Sequence, residues 1–364
     1  MSDERGAIAF AERVLALLAQ ARATSTYKYA VLLGLIDVCL ERVDKTGHAP
    51  EMVTTHQLAE KVLEFYWPHT VPFGASALRV LHQNRTGKAE IVTLIERFRT
   101  QHARDPSAPL SRAERTAPDA HRALIRDIEW KLVEMPLPRL QRFGAQEDRF
   151  IYQIDWDEHI KRREFTGAEF SNTIRFVPGA SEHLVRLAGL LRPLLQRRWA
   201  ADVASMNDDL VKDSELEEFL FGSHRIALGA VCDHLRELQG GRCFYCDGPL
   251  RKPQVDHFIP WARVPINAIE NLVVADQTCN GGKRDHLAAT AHVQRWSARL
   301  REHGPDLRQI AESTGWEQAP ERVLGVARAA YLLLPPSALL WSELRSGKQV
   351  FVVPDLRNLR QVLA

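Results

Sequence analysis

The sequence predicts a mainly α protein of the α+β class, and three observations carry that expectation. Apolar residues in the first hundred positions recur at helical spacing. Two short β-type runs, Arg149–Asp155 and Thr173–Val177, interrupt the helices further on. A stretch from Cys243 to Lys283 combines a strand, a second apolar run and a helix start. The expected organisation is a helical bundle over 1–101 and an accessory region of helices and a short β-hairpin over 102–222. A cysteine-bearing segment follows over 223–303, and a helical C-terminal extension with a terminal strand over 304–364.

Phe10, Val14, Leu17 and Leu18 repeat at i, i+4, i+7 and i+8 and predict a first helix with one apolar stripe. Tyr27–Leu40 is apolar almost all round and predicts a central buried helix. Thr55 is the expected cap of a third helix, which stops before Trp67-Pro68 because a residue preceding proline is pushed out of the helical region. Ile91, Leu94, Ile95 and Phe98 mark a fourth helix. His102–Pro118, rich in Arg, Ala, Ser and Pro, reads as an exposed loop. A helix over His121–Glu134 stops at Pro136 and Pro138, and the two β-type runs then suit either a winged-helix arrangement or a helical domain with an incidental hairpin. Ser181 can cap a long helix, Glu182–Met206, whose Arg186, Arg192, Arg197 and Arg198 read as a phosphate-tracking face or as solvated charge. Asp202–Glu218 is acidic and reads as a solvated connector or as an internal mimic of nucleic acid that restrains a site. His224–Gln239 is a helix ended by Gly240-Gly241. Ala288–His303, Pro305–Thr314 and Glu321–Leu334 read as helices, and Gln349–Val353 as the terminal strand.

The 364 residues, 45% hydrophobic and 26% charged, match a soluble globular chain of two or three domains. A formal charge of +2 creates no global field, so any affinity for nucleic acid has to come from local basic patches. Three of the five cysteines fall within Cys243–Cys279, which suits a metal site in a reducing cytosol better than a disulfide framework. Cys39 and Cys232 sit in apolar helical surroundings and read as buried fillers. Asp3, Glu4, Arg5, Glu12 and Arg13 leave the N-terminus without the uninterrupted apolar core expected of a signal peptide, and Asp37 and Pro335-Pro336 interrupt the apolar runs. A cytoplasmic protein with no membrane segment is expected.

Cys243 and Cys246 on a tight turn can hold two corners of a tetrahedral zinc ion, and Asp276 and Cys279, with the same two-residue gap, can hold the others. The alternative is a knuckle held by packing alone. In Val255–Ile259, two adjacent polar residues are costly unless paired, solvated or functional. Asp256 can ligate a hard cation such as Mg²⁺, with Asn280 offering a second oxygen. His257 can deprotonate a water. Asn271 can hydrogen-bond the imidazole or the backbone, and Lys283 can meet a phosphate. Singly, these residues have bland readings as a capping Asp, a core His and a turn Asn. Together they meet the needs of phosphodiester hydrolysis: a base, a water and a cation.

The segment from Gly241 to Leu287 resembles the HNH endonuclease domain, a ββα-metal fold. The resemblance extends to Phe258-Ile-Pro260 after the Asp-His pair and to the Cys-Asn-x-x-Lys ending. It implies that His257 is the general base, that Asp256 and Asn280 bind the catalytic Mg²⁺ (or Mn²⁺), that Asn271 is the middle Asn, and that the cysteines form a zinc knuckle. Asp276 stands where many such domains have a further Cys. Lys283–Leu287 and the preceding helices resemble larger bacterial proteins of this type.

Between Gly240 and Arg301 nine Lys/Arg face five Asp/Glu, a local basic surplus. Arg251, Lys252, Arg263, Lys283 and Arg284 are the candidate nucleic-acid contacts. The resulting reading is a metal-dependent DNA endonuclease of restriction or anti-phage type, acting on double-stranded DNA, with a protein partner or homodimer contact in the helical region. The alternatives are a non-catalytic nucleic-acid-binding subunit that keeps the zinc knuckle, and an RNase on the same site.

Overall fold

Apolar residues at every third or fourth position make Ser2–Ala19 helix α1, with Phe10, Val14, Leu17 and Leu18 on its buried stripe. The computed structural model describes residues 2–19, 25–73, 80–103, 105, 108–143, 146–207, 213–222 and 228–364. These group into two compact units, one of residues 1–39 and 49–224, the other of residues 40–48 and 225–364.

In the first unit, α2 (Tyr27–Glu41) is buried on all sides from Ala30 to Leu40. That burial includes Asp37, which is tolerable because Arg192 forms an ion pair with it. Arg192 therefore leaves the set of candidate phosphate contacts: it is 5% exposed. Strand β1 (Met52–Thr54) leads into α3 (Thr55–Tyr66), and the cap is Thr54 rather than Thr55. Its hydroxyl accepts from Gln57 N at 3.2 Å while the Gln57 side chain accepts from Thr54 N at 3.0 Å. Helix α4 (Glu90–His102) follows, and part of the expected loop is helical as α5 (Leu110–Thr116). After α6 (Pro118–Glu134) and the single turn α7 (Pro136–Arg139) come β2 (Arg142–Phe143) and β3 (Gln146–Glu147).

The expected hairpin exists, with a third strand beside it. β4 (Tyr152–Gln153) pairs antiparallel with β5 (Thr173–Phe176), which pairs on its other edge with β1, Val53 opposite Ile174. The turn α8 (Arg162–Phe165) lies between β4 and β5. The long helix is broken at Leu187 into α9 (Ala180–Arg186) and α10 (Ala188–Met206), and α11 (Asp213–Phe221) closes the unit. Asp208 and Asp209 of the acidic connector, and the expected helix start at His224, lie outside the described residues.

In the second unit, α12 (Gly229–Leu238) ends where Gly240 and Gly241 take φ of 62° and 70°, a left-handed turn that suits glycine. It delivers the chain into Cys243. Strands β6 (Pro253–His257) and β7 (Leu272–Asp276) pair antiparallel, Asp256 opposite Val273 and His257 opposite Leu272. Helix α13 (Gln277–Lys283) follows directly. Helices α14 (Thr290–Glu302), α15 (Gly304–Thr314) and α16 (Pro320–Leu332) come next. The expected terminal strand is β9 (Lys348–Val352), paired with an unexpected β8 (Leu340–Arg345), before α17 (Leu356–Val362). The core joins Val231 and Leu235 of α12 to Leu272 and Val274 of β7 and to Leu307, Ala311 and Trp316. Among the described residues no helix is long and apolar enough to cross a membrane.

Candidate active site

Two strands and a helix set the chemistry. Gln254 and Asp256 alternate onto one face of β6, and α13 packs against that strand. Asn280 and Lys283, three apart on α13, share a helix face. They meet the strand at both ends: Asn280 Nδ2 donates to Gln254 Oε1 at 2.9 Å, and Lys283 Nζ lies 3.0 Å from Asp256 Oδ2.

Asp256 is 9% exposed, and Oδ2 carries its burial cost. Besides Lys283, that oxygen accepts the Tyr245 hydroxyl at 2.5 Å. Oδ1 has no hydrogen-bond partner among the described residues. Burial and the facing Asp256 push the Tyr245 pKa well up, so the phenol stays a donor. Lys283 also donates to His257 O at 2.9 Å and is fully buried. The expectation that Lys283 meets a phosphate is therefore corrected: its charge is spent inside, on Asp256.

The His257 ring is held by a residue the sequence reading missed. Nε2 lies 2.7 Å from Asn267 Oδ1, and the Trp261 ring stands 5.3 Å away. Burial pulls the His257 pKa below 6.5, against the opposing pull of the Asn267 bond and of Asp256. The neutral, proton-accepting form thus prevails at neutral pH. Asn271 does not touch the ring. Fully buried, it accepts from Ile259 N at 2.8 Å and donates to Ile259 O and Ile266 O, each at 3.1 Å. It staples the loop that carries Trp261 and Arg263.

At the far end of the motif the sulfurs of Cys243, Cys246 and Cys279 lie within 4.8 Å of one another. Sulfurs about 2.3 Å from a tetrahedral zinc ion stand about 3.8 Å apart, so the trio fits one. The Cys279 thiol donates to the Cys243 sulfur and, with backbone amides including Asp276 N at 3.3 Å, pulls its pKa to about 5. The Cys279 pKa rises because its proton is held in the hydrogen bond to Cys243, and burial and the charge on that sulfur add to the effect. The structure does not bring the Asp276 carboxylate into this trio. One oxygen accepts from Thr278 N at 3.2 Å as the α13 cap, and the other from Arg251 N and Lys252 N at 3.0 and 3.1 Å. These bonds hold its pKa below the usual carboxylate value.

Two family models match the chain. Residues 7–220 match the Domain of unknown function (DUF8808), and residues 243–289 match the HNH endonuclease model. The first covers more than half of the sequence. The chain belongs to the DUF8808 family. It also carries an HNH endonuclease domain, in which β6, β7 and α13 are the ββα frame. Searches of curated proteins and of solved structures gave no match.

Helix α14, just past the HNH match, braces this domain. Arg295 donates to Phe244 O and Tyr245 O, Trp296 Nε1 to Glu270 O at 2.9 Å, and Arg299 Nη1 to Leu272 O at 2.6 Å. The β8 strand covers α13 so closely that a Cβ at Gly282 would fall 2.6 Å from Leu344. Of the candidate nucleic-acid contacts in the HNH domain, Arg251, Lys252, Arg263 and Arg284 are exposed. Tyr245, Gln254 and Asn267 escaped the sequence reading. Tyr245 resembled a spacer between cysteines, and Gln254 and Asn267 carry no motif. For Gln254 the i, i+2 spacing from Asp256 was the available signal.

Proposed function

We propose that the HNH domain hydrolyses phosphodiester bonds of double-stranded DNA, with His257 as the general base. The observation that carries this reading is the division of polar atoms around β6. Asp256 and Asn280 each have one atom fixed by a protein neighbour, while Asp256 Oδ1 and the Asn280 amide oxygen have no partner among the described residues. Two such oxygens suit a hard cation, Mg²⁺ or Mn²⁺, that keeps several waters. When bound, the cation supplies charge stabilisation for the phosphate and the leaving oxygen. The protein's own part is to pair the Asp256 carboxylate with Lys283, aim the Asn280 oxygen through Gln254, and keep His257 neutral to take a proton from water.

Cys243, Cys246 and Cys279 are the proposed holders of a structural zinc ion, with Asp276 capping α13 beside it. Arg251, Lys252, Arg263 and Arg284 are the proposed phosphate contacts, which give affinity and register rather than sequence choice. A restriction or anti-phage role, with the helical region choosing the target or a partner, extends this reading. Its support is the association of such domains with defence.

The test is cleavage of supercoiled plasmid and of a matched RNA with Mg²⁺, comparing wild type with His257→Ala. The reading expects DNA cleavage by the wild type and a loss of about 10²–10⁴-fold in the variant. Equal activity in both proteins removes His257 from the mechanism. Cleavage of RNA alone moves the same site to the RNase alternative.

A further inference from the structure

We propose that Asn267 and Trp316 form a positioning relay for the catalytic base, so that a residue beyond the HNH match fixes how the His257 imidazole presents itself. The inference rests on the reading of His257 as the base. Asn267 Oδ1 is an acceptor only, so the 2.7 Å contact requires His257 Nε2 to carry the proton. Nδ1 is then the nitrogen with a free lone pair, and the base acts through it. The Trp261 ring on one side restricts the imidazole's rotation.

Asn267 lies in the loop between β6 and β7, where a side chain needs an external hold to keep one geometry. Trp316 provides it. Its Nε1–H donates to Asn267 O at 2.6 Å, and its ring is 7% exposed in the core with Ile269, Leu272 and Val274. The adjoining segment repeats the hold: Ile269 N donates to Glu317 O at 2.9 Å, and Ala319 N to Glu270 Oε2 at 3.1 Å. Three bonds thus lock Trp316–Ala319 to Asn267–Glu270, ten residues from the base in sequence and one hydrogen bond from it in space. Groups that orient metal-bound histidines in this way are typically worth about 10–100-fold in affinity or activity, and the same scale is expected for this base.

The relay is tested on full-length protein labelled with ¹⁵N-histidine. The His257 ring signals are assigned by their loss in His257→Ala, and ring nitrogen shifts report the tautomer. Wild type should show the Nε2–H tautomer. Asn267→Ala should mix the tautomers and lower kcat for plasmid cleavage about 10–100-fold with KM unchanged. Asn267→Asp, which keeps the acceptor, should restore the tautomer. Trp316→Phe, which keeps a ring but removes the N–H, should move the same signals and kcat by a smaller factor. An Nδ1–H tautomer in wild type, or unchanged shifts and kcat in Asn267→Ala, overturns the Asn267 assignment. Unchanged shifts and kcat in Trp316→Phe remove Trp316 from the relay. The tautomer is read without turnover, so an active His257→Ala would end the base assignment while leaving the hydrogen-bond result standing.

Discussion

At one end of the β6–β7–α13 motif three cysteine sulfurs crowd together, one of them at the surface. At the other end Asp256, His257 and Asn280 each have one polar atom tied to a protein neighbour and one left over. The difference separates two kinds of site. The sulfur end concentrates thiols that share protons, at a spacing that could hold a metal ion. The other end is organised by Lys283, Tyr245, Gln254 and Asn267, which take the atoms the proposed chemistry leaves unused.

The largest test of that contrast is Lys283→Met. It leaves the Asp256 carboxylate buried with only Tyr245 beside it, and should cost about 3–5 kcal/mol in urea unfolding. A loss below about 1 kcal/mol would mean that the pair is not what organises this end. At the sulfur end, Cys279→Ser should strip the zinc and remove roughly 4 kcal/mol at an ion concentration near 1,000 times its Kd. Metal analysis and a melting curve check this together, and an unchanged zinc content would break the assignment.

A pH profile sharpens the contrast further. A base works only when unprotonated, and burial depresses the His257 pKa below 6.5. The acid limb of kcat should therefore lie below that pH, with full activity above it and loss as pH falls through the lowered value. A limb above 6.5 would point to another group. The smallest effect is expected from Asp276→Ala, which removes a helix cap at about 1 kcal/mol and should leave the zinc content unchanged. Loss of zinc there would return Asp276 to the ligand set.

Much of this was legible in the sequence because periodicity and spacing are local. The stripe of Phe10, Val14 and Leu17, the mostly apolar α2 and the two glycines after α12 each declare an element within a few residues. So does the order Cys, Cys, Asp-His, Cys-Asn that placed the motif. Short elements stayed hidden: α5 buries only Ala113, and β1 spans three residues whose partner lies far along the chain. Partnership was hidden for the same reason. Lys283 looked like a surface cation one turn past Asn280, and its burial against Asp256, His257 and Tyr245 depends on the strand and turn that precede the helix. Asn267, in a Pro-Ile-Asn-Ala loop, carries no motif, and its bond to His257 exists only in three dimensions.

The most direct measurement is made on one preparation of His257→Ala beside wild type: zinc content, melting temperature and Mg²⁺-dependent plasmid cleavage on the same samples. Separation of the two ends predicts equal zinc, a similar melting temperature and cleavage lowered by about 10²–10⁴-fold. Cleavage at the wild-type rate with zinc intact would contradict it.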